Sequence, residues 1–328
     1  MSTMYAIDIQ KDERRTLAWT EVPRPVCGPD QVLMRVAATA VNRADLLQRR
    51  GLYPVPKGAS EILGLEASGT IAELGENVEG WKVGDEVCAL LEGGGYAEYV
   101  AIDASMLLPL PPGLDLIQAA AVPEVFYTAW LNLFVEGDLK PGQVAFIHAA
   151  ASGVGTAGLQ LCKAFDVPVF GSASGAKLDA VTKYGATWTV DRKTQSFKEV
   201  VQEVRGKQGV DVVFDMVGAG VLDDNLSILN TDGRLVIIGL LGGAKDTVHL
   251  GKVLMKRLRI IGSTLRSRSR EDKVILTKQL KEHVWPKFES GALVPVIDRI
   301  LPIQEAEQAH QALENNETIG KVLLTIGE

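Results

Sequence analysis

The sequence has little of what would mark a disulfide scaffold, a metal cluster or a nucleic-acid surface. It holds three cysteines, Cys27, Cys88 and Cys162, far apart and in no paired spacing. So sparse and odd a count excludes a disulfide framework and a cysteine-built zinc cluster, and it fits a reducing cytoplasmic setting. The four histidines, His148, His249, His283 and His310, are equally scattered. Positive charge is in deficit, with a net charge of −7. A surface that binds phosphate backbones needs the opposite sign, so no nucleic-acid partner is expected. No apolar run approaches the roughly 20 residues that cross a bilayer, so no membrane partner is expected either. The first nine residues lack the basic start and long apolar core of a signal peptide. Repeats, low-complexity tracts and charged tails are absent from the sequence as well.

What is present is a globular composition, 46% hydrophobic and 23% charged over 328 residues. That length suits about two domains. Through residue 124 the chain runs in short apolar stretches, such as Gln31–Ala37, Ala67–Leu74, Asp85–Leu91 and Ala97–Ile102, broken by Gly and Pro clusters. This rhythm predicts a β-rich domain. Beyond it, apolar strands alternate with helical patterns: Val144–His148, a helix over Gly153–Phe165, Val167–Gly171, a helix over Ala176–Tyr184, Thr187–Val190, Val210–Asp215, Leu235–Gly239 and Arg259–Ser263. Such alternation predicts an α/β, doubly wound parallel sheet of the Rossmann type. The tail reads as a helix over Arg270–Phe288, a strand over Val294–Leu301, a helix over Ile303–Asn315 and a strand over Lys321–Ile326. It is expected to return to the first domain, giving 1–124 with 266–328 as one domain and 125–265 as the other. A cleft between two domains is a common setting for a binding site.

The sharpest motif is His148-Ala149-Ala150-Ala151-Ser152-Gly153-Val154-Gly155, which follows an apolar strand and opens a helix. That is the context of a dinucleotide fingerprint. Small residues let the backbone approach a pyrophosphate, and the helix N-terminus offers N–H groups and the positive end of its dipole. Ala150 and Ser152 stand where the G-x-G-x-x-G pattern has its first two glycines, and Gly155 keeps the third. The second strand ends at Gly171 with no acid before Asp179, where an NAD site usually carries Asp or Glu on the ribose. Ser172, Ser174, Lys177 and Arg192 offer donors and charge instead, which favours the 2′-phosphate of NADP(H). The competing reading of Lys177 and Arg192 is solvated surface charge.

With these features the chain resembles the zinc-free quinone oxidoreductase branch of the medium-chain dehydrogenase/reductase superfamily, over essentially its full length. The segments carrying the resemblance are Val41-Asn42-Arg43-Ala44-Asp45-Leu46, Gly51-Leu52-Tyr53-Pro54, Gly64-Leu65-Glu66-Ala67-Ser68-Gly69, Val83–Val87, Gly93–Tyr99, Ala119–Glu124, Gly239-Leu240-Leu241-Gly242-Gly243 and Ile319-Gly320-Lys321. The loop Ser263–Arg268 and the Asn42–Leu46 run look most like the p53-inducible quinone oxidoreductase subgroup. The resemblance implies a β-rich GroES-like catalytic domain beside the nucleotide domain. It also implies hydride transfer from NADPH to a planar quinone or enone. Zinc alcohol dehydrogenases of the superfamily place a Cys in the first of these segments and a His in the third, where this chain has Asn42 and Leu65. Catalytic zinc needs about three such protein ligands, so no metal is expected. A delocalised anion, unlike an alkoxide, can form with hydrogen-bond donors and positioning alone.

The resemblance puts Asn42 and Tyr53 at the acceptor as catalytic residues, with Asn42 also touching the cofactor. The other cofactor contacts it implies are Thr128, Ala151, Ser152, Gly153, Val154, Gly155, Val217, Gly239, Leu240, Leu241, Leu265, Arg266 and Lys321. The alternatives are a turn-capping Asn42, a structural Tyr53, a Thr128 hydroxyl bonded to its own helix, and a solvated basic loop through Arg270. Glu66 reads as a structural anion rather than an acid catalyst. The apolar run Leu258–Ser263 is expected at a sheet edge, where pairing with a second copy gives a homodimer. Two other functions compete. One is an enoyl-thioester or alkenal reductase on the same scaffold. The other is a cofactor-binding stress or RNA-binding protein, which the acidic charge and the lack of an aromatic–basic motif disfavour.

Overall fold

The computed structural model describes residues 2–327. The chain divides into two compact units, Met1–Tyr127 with Arg266–Glu328, and Thr128–Leu265.

The second unit is a six-stranded sheet in which every neighbouring pair is parallel. In space the strands run Trp188–Asp191, Val169–Ala173, Ala145–Ile147, Val210–Asp215, Leu229–Ile237, Arg259–Gly262. Numbered along the chain within this unit, that is the order 3-2-1-4-5-6 of a doubly wound dinucleotide fold. The central strands are apolar on both faces, as a sheet covered by helices on each side requires. Val144, Phe146, Phe170, Val190, Val213 and Leu235 share one core cluster. The order of strands reverses beside Ala145–Ile147, the strand that feeds the fingerprint. Ser152 caps the helix Gly153–Ala164, its Oγ accepting from Gly155 N at 3.1 Å.

The first unit pairs Thr3–Ile9 with Leu17–Pro23 as an antiparallel ribbon, two strands that the rhythm of the sequence did not announce. Its seven-stranded sheet runs Ile297–Pro302, Lys321–Thr325, Gln31–Ala40, Glu66–Leu74, Glu86–Leu90, Leu107–Pro109, with Tyr99–Asp103 also pairing Gln31–Ala40. The C-terminal strand lies antiparallel to Gln31–Ala40 with Leu323 opposite Ala40. Continued by two residues, that register sets Lys321 opposite Asn42. On the other side Thr39 faces Ala67, which brings Glu66 beside Ala40. Three residues far apart in sequence thus meet at one end of the sheet.

The segment expected as one helix from Arg270 to Phe288 is interrupted. It is α-helical over Arg270–Gln279, π-helical over Leu280–Val284 and α-helical again over Trp285–Glu289. Pro286 gives the reason, because it has no N–H to donate and its ring clashes with a regular preceding turn. The wider π turn accommodates it.

Candidate functional site

In the first unit the chemistry gathers around Asn42, the N-cap position of the helix Arg43–Arg49. Its Oδ1 accepts from Lys321 Nζ at 2.6 Å, and its Nδ2 donates to Glu66 Oε1 at 2.9 Å and to Ala40 O at 3.2 Å. Both amide hydrogens are therefore engaged inside the protein. Lys321 Nζ also donates to Val41 O at 2.9 Å and lies 2.8 Å from Glu66 Oε1. Glu66 is fully buried and Lys321 nearly so. The second oxygen of Glu66 accepts from the backbone N–H of Glu124 at 2.8 Å. Asp45, also fully buried, accepts from Asn42 N at 2.8 Å and Gly64 N at 3.0 Å. Burial pushes its carboxyl up to about 6, against the pull of those two N–H groups and of Lys321.

These side chains do not suit zinc. Where zinc relatives place Cys and His stand an amide and Leu65, and the Glu66 carboxylate is already taken up by an ammonium. A dication here would face Lys321 at close range. Among the described residues no group of three or more His, Cys, Asp or Glu stands together as a ligand set.

A cavity of about 570 Å³ opens in the same unit, lined by Ser60, Ile62, Leu91, Gly93, Val100, Met106, Glu124 and Arg266 among others. Arg266 is held there by Glu92 O, 2.9 Å from its Nε, and by Gln48 Oε1, 2.8 Å from Nη1. The guanidinium carbon lies 5.4 Å from the centre of the Tyr53 ring. Tyr53 is half-buried. Burial raises the pKa of its phenol, Glu124 and Asp45 raise it further, and Arg266 opposes them. Glu124 is pushed up to about 8, chiefly by burial and then by the charge of Glu66. In the sequence Glu124 stands only as the end of the family segment Ala119–Glu124. The signal that marks it is a single acid inside the apolar stretch Ala119–Tyr127.

In the second unit the fingerprint forms a tight turn between strand and helix. A Cβ on Gly155 would lie 2.5 Å from Ala149 O, so only glycine fits there. Ala151 is buried and Ser152, Gly153 and Val154 are half-buried. The N–H groups of Gly153 and Val154, in the first turn, have no intrahelical acceptor. With the strand order reversing beside this turn, the residues present fit a dinucleotide pyrophosphate. The loop after Val210–Asp215 knits to the loop after Leu229–Ile237: Gly242 N donates to Val217 O at 2.7 Å, and a Cβ on Gly239 would lie 2.9 Å from Met216 O. Leu240 and Leu241 are exposed beside them. Thr128 and Leu265 are buried.

Ser172 has a partner that the sequence did not name. It is buried, with its Oγ 3.3 Å from His148 Nδ1. His148 Nε2 is 2.8 Å from Asn225 Oδ1, and Asn225 donates to Asp215 Oδ2 at 3.2 Å. Asp215 in turn accepts from Val217 N at 2.6 Å and Gly218 N at 3.1 Å. Burial lowers the pKa of His148 and raises that of Asp215, each opposed by the other's charge, so both are driven toward their neutral forms. Ser174 stands just before the short turn Gly175–Lys177, Lys177 is half-buried, and Arg192 is exposed with its N–H on Ala173 O at 2.9 Å. One acid does stand near this loop: the Asp191 carboxylate accepts from Lys193 N, from the Thr194 hydroxyl and from Gly175 N.

Comparison with known proteins agrees with both units. A family described as "Zinc-binding dehydrogenase" matches residues 153–279, and one described as "Alcohol dehydrogenase GroES-like domain" matches residues 28–112. The chain is 30% identical to the synaptic vesicle membrane protein VAT-1 homolog of Rattus norvegicus, over 92% of this chain and 78% of that protein. It is also 30% identical to the quinone oxidoreductase of Rattus norvegicus, over 94% of this chain and 92% of that protein. Among solved structures, the JamJ enoyl reductase superposes with a TM-score of 0.88 at 25% identity, over 99% of this chain and 100% of that one.

Proposed function

The chain belongs to the medium-chain dehydrogenase/reductase superfamily as a quinone oxidoreductase-like member, and from that premise we propose that it is a zinc-independent NADPH:quinone oxidoreductase. The observation that carries the reading is the ammonium of Lys321, buried and bonded to Asn42, Val41 and Glu66. It supplies a fixed positive charge where zinc relatives have ligands, and reduction of a quinone needs no more than fixed charge, donors and positioning.

In this reading the bound nicotinamide supplies the hydride. The turn Ala151–Gly155 and the following helix N-terminus bind the pyrophosphate. Ser174, Lys177 and Arg192 hold the 2′-phosphate, while Ser172 steadies the strand end through His148. Thr128, Val217, Gly239, Leu240, Leu241 and Leu265 pack along the nicotinamide half. Tyr53 offers its face to a planar acceptor and its hydroxyl to the developing oxyanion. Asn42 and Lys321 fix the electrostatics, and Arg266 holds Tyr53 in place. The lack of an acid directly after Gly171 supports NADPH over NADH. The sparse free cysteines support a cytoplasmic location.

We also propose a homodimer through Arg259–Gly262, the last strand of its sheet. Ile260 is exposed there, as are Leu250, Leu254 and Met255 just before it. A sedimentation mass of a single 35.3 kDa chain at micromolar concentration rejects the dimer.

The function is tested by following NADPH oxidation with ortho-quinones, para-quinones, enals and enoyl-CoA, in wild type and in Lys177→Ala/Arg192→Ala. Quinone turnover is expected, with the NADPH preference falling about tenfold or more in the double variant, as for a lost charge-assisted contact. An unchanged preference rejects the phosphate assignment. Inactivity on quinones together with reduction of enoyl thioesters favours the second reading, a conjugated-alkene reductase, which the likeness to an enoyl reductase structure supports.

A further inference from the structure

We infer that Glu124 is the proton donor of the acceptor site in the first unit, giving the hydroxyl proton of its carboxyl to an oxygen of the reduced acceptor. The inference rests on the proposed reduction of quinones and names the second half of that reaction.

Hydride addition brings the acceptor two electrons and one hydrogen, and leaves negative charge on oxygen. A second hydrogen must arrive as a proton. The O–H bond of Glu124 breaks, an O–H bond forms on the acceptor, and the carboxylate regains a proton from water in the cavity. The sum is quinone, NADPH and one proton giving hydroquinone and NADP⁺.

Two glutamates stand together in this unit, and their surroundings divide the work between them. Glu66 is fully buried and used up: one oxygen is bonded to Lys321 and Asn42, the other to the backbone N–H of Glu124. Glu124 lies in the first turn of the helix Pro123–Trp130 and lines the 570 Å³ cavity, a size that admits a fused-ring acceptor. Among the described residues no hydrogen bond holds its carboxyl. The charges acting on it are the carboxylates of Glu66 and Asp45, the ammonium of Lys321 and the guanidinium of Arg266. Burial and Glu66 outweigh the two cations, so the group sits at about 8 and carries its proton at neutral pH. A donor with a pKa near the working pH is what proton transfer favours. Tyr53 is another acid close enough to feel Glu124, but burial, and then Glu124 and Asp45, raise its pKa above the ordinary phenol value. It therefore donates a hydrogen bond more readily than a proton.

The test compares wild type, Glu124→Gln and Glu124→Asp with an ortho-quinone and NADPH, from about pH 6 to about pH 10, reading kcat, KM and the solvent deuterium isotope effect. Wild-type kcat should fall as pH rises through about 8, where Glu124 loses its proton. Glu124→Gln should lower kcat by about 10²-fold or more, abolish that limb and leave KM within a few-fold. Glu124→Asp should keep the limb at reduced kcat. Wild-type kcat that is flat across the range overturns the inference without any variant, as does a Glu124→Gln enzyme with wild-type kcat and profile. Should the Gln variant not fold, the wild-type profile and the Asp variant decide. A wild type that reduces no quinone removes the proposed function and this inference together, whereas active wild type with an indifferent Glu124→Gln removes this inference alone.

Discussion

In the first unit the network around Asn42 holds an ion pair, Lys321 on Glu66 at 2.8 Å. In the second, the chain Ser172–His148–Asn225–Asp215 holds groups that burial drives toward neutrality. The contrast follows from what each must do. In the proposed function the nucleotide is gripped by backbone N–H groups and close-packed glycines, and the buried network holds the loop at Val217 and Gly218 in shape. A reacting acceptor needs charge fixed in advance, because an environment already oriented toward the transition state costs no reorganisation during the reaction. Keeping a buried ion pair is expensive unless every lone pair and proton is satisfied, and the contacts of Lys321 with Val41 and Asn42 meet that condition.

The largest effect should come from breaking that pair on one side. Lys321→Met leaves the Glu66 carboxylate buried without its cation, and should cost about 3–5 kcal/mol of stability in denaturant unfolding. Adding Glu66→Gln in the same chain should recover much of the loss, since a buried amide replaces a buried charge. A single variant as stable as wild type, or a double variant worse than the single, contradicts the account of the first unit as an ion-pair site.

The two networks were unequally legible in the sequence. The fingerprint was readable because eight consecutive residues, His148–Gly155, make the whole turn. The site around Asn42 was not, because Lys321 lies 279 residues away and only sheet register brings it there. Resemblance supplied both residue numbers, but neither their bond nor the engagement of both Asn42 amide hydrogens. The bond of Ser172 to His148 was not legible for a local reason. Side chains alternate along a strand, and its position in Val169–Ala173 turns the hydroxyl inward to His148. Glu124 went unweighed because composition cannot tell a solvated glutamate from one that lines a cavity.

Each unit also buries a histidine, and the two should answer acid differently. Burial lowers the pKa of both, but Asp215 opposes the shift at His148, while Arg49 reinforces it at His310, which is pushed down to about 3. The Nε2 of His310 is 3.2 Å from the Tyr96 hydroxyl, and its Nδ1 has no partner among the described residues. As pH falls from the ordinary value of 6.5 toward 3, the unfolded chain takes up a proton that folded His310 refuses. The stability that depends on this neutral His310 is therefore fully present above about 6.5 and lost progressively below it. His310→Gln should flatten that acid limb by a few kcal/mol relative to wild type, and His148→Gln should flatten it less. The measurement is the unfolding free energy at several pH values. Equal slopes in the two variants would break the comparison.

The smallest stability change should follow Tyr53→Phe, and for that reason it separates shape from charge within the first unit. The ring stays 5.4 Å from the Arg266 guanidinium carbon, while Arg266 keeps its own bonds to Glu92 and Gln48. Stability should move by less than about 0.5 kcal/mol, as for a surface change away from core features. What the variant loses in the proposed function is the hydroxyl offered to the acceptor, and one missing oxyanion donor lowers kcat by at most about 10²–10³-fold. Tyr53→Ala removes the ring as well. It should cost about 0.5–1 kcal/mol for the cation–π contact and lower kcat/KM further, chiefly through KM, because a flat acceptor loses the face it rests on. The order wild type, Phe, Ala in kcat/KM, with NADPH affinity unchanged in both variants, is the expected result. If Phe and Ala are equally impaired, the ring contributes nothing and only the hydroxyl matters. If neither is impaired, the acceptor does not rest on Tyr53, and the fixed charge of Lys321 with the cavity beside Glu124 must orient it alone.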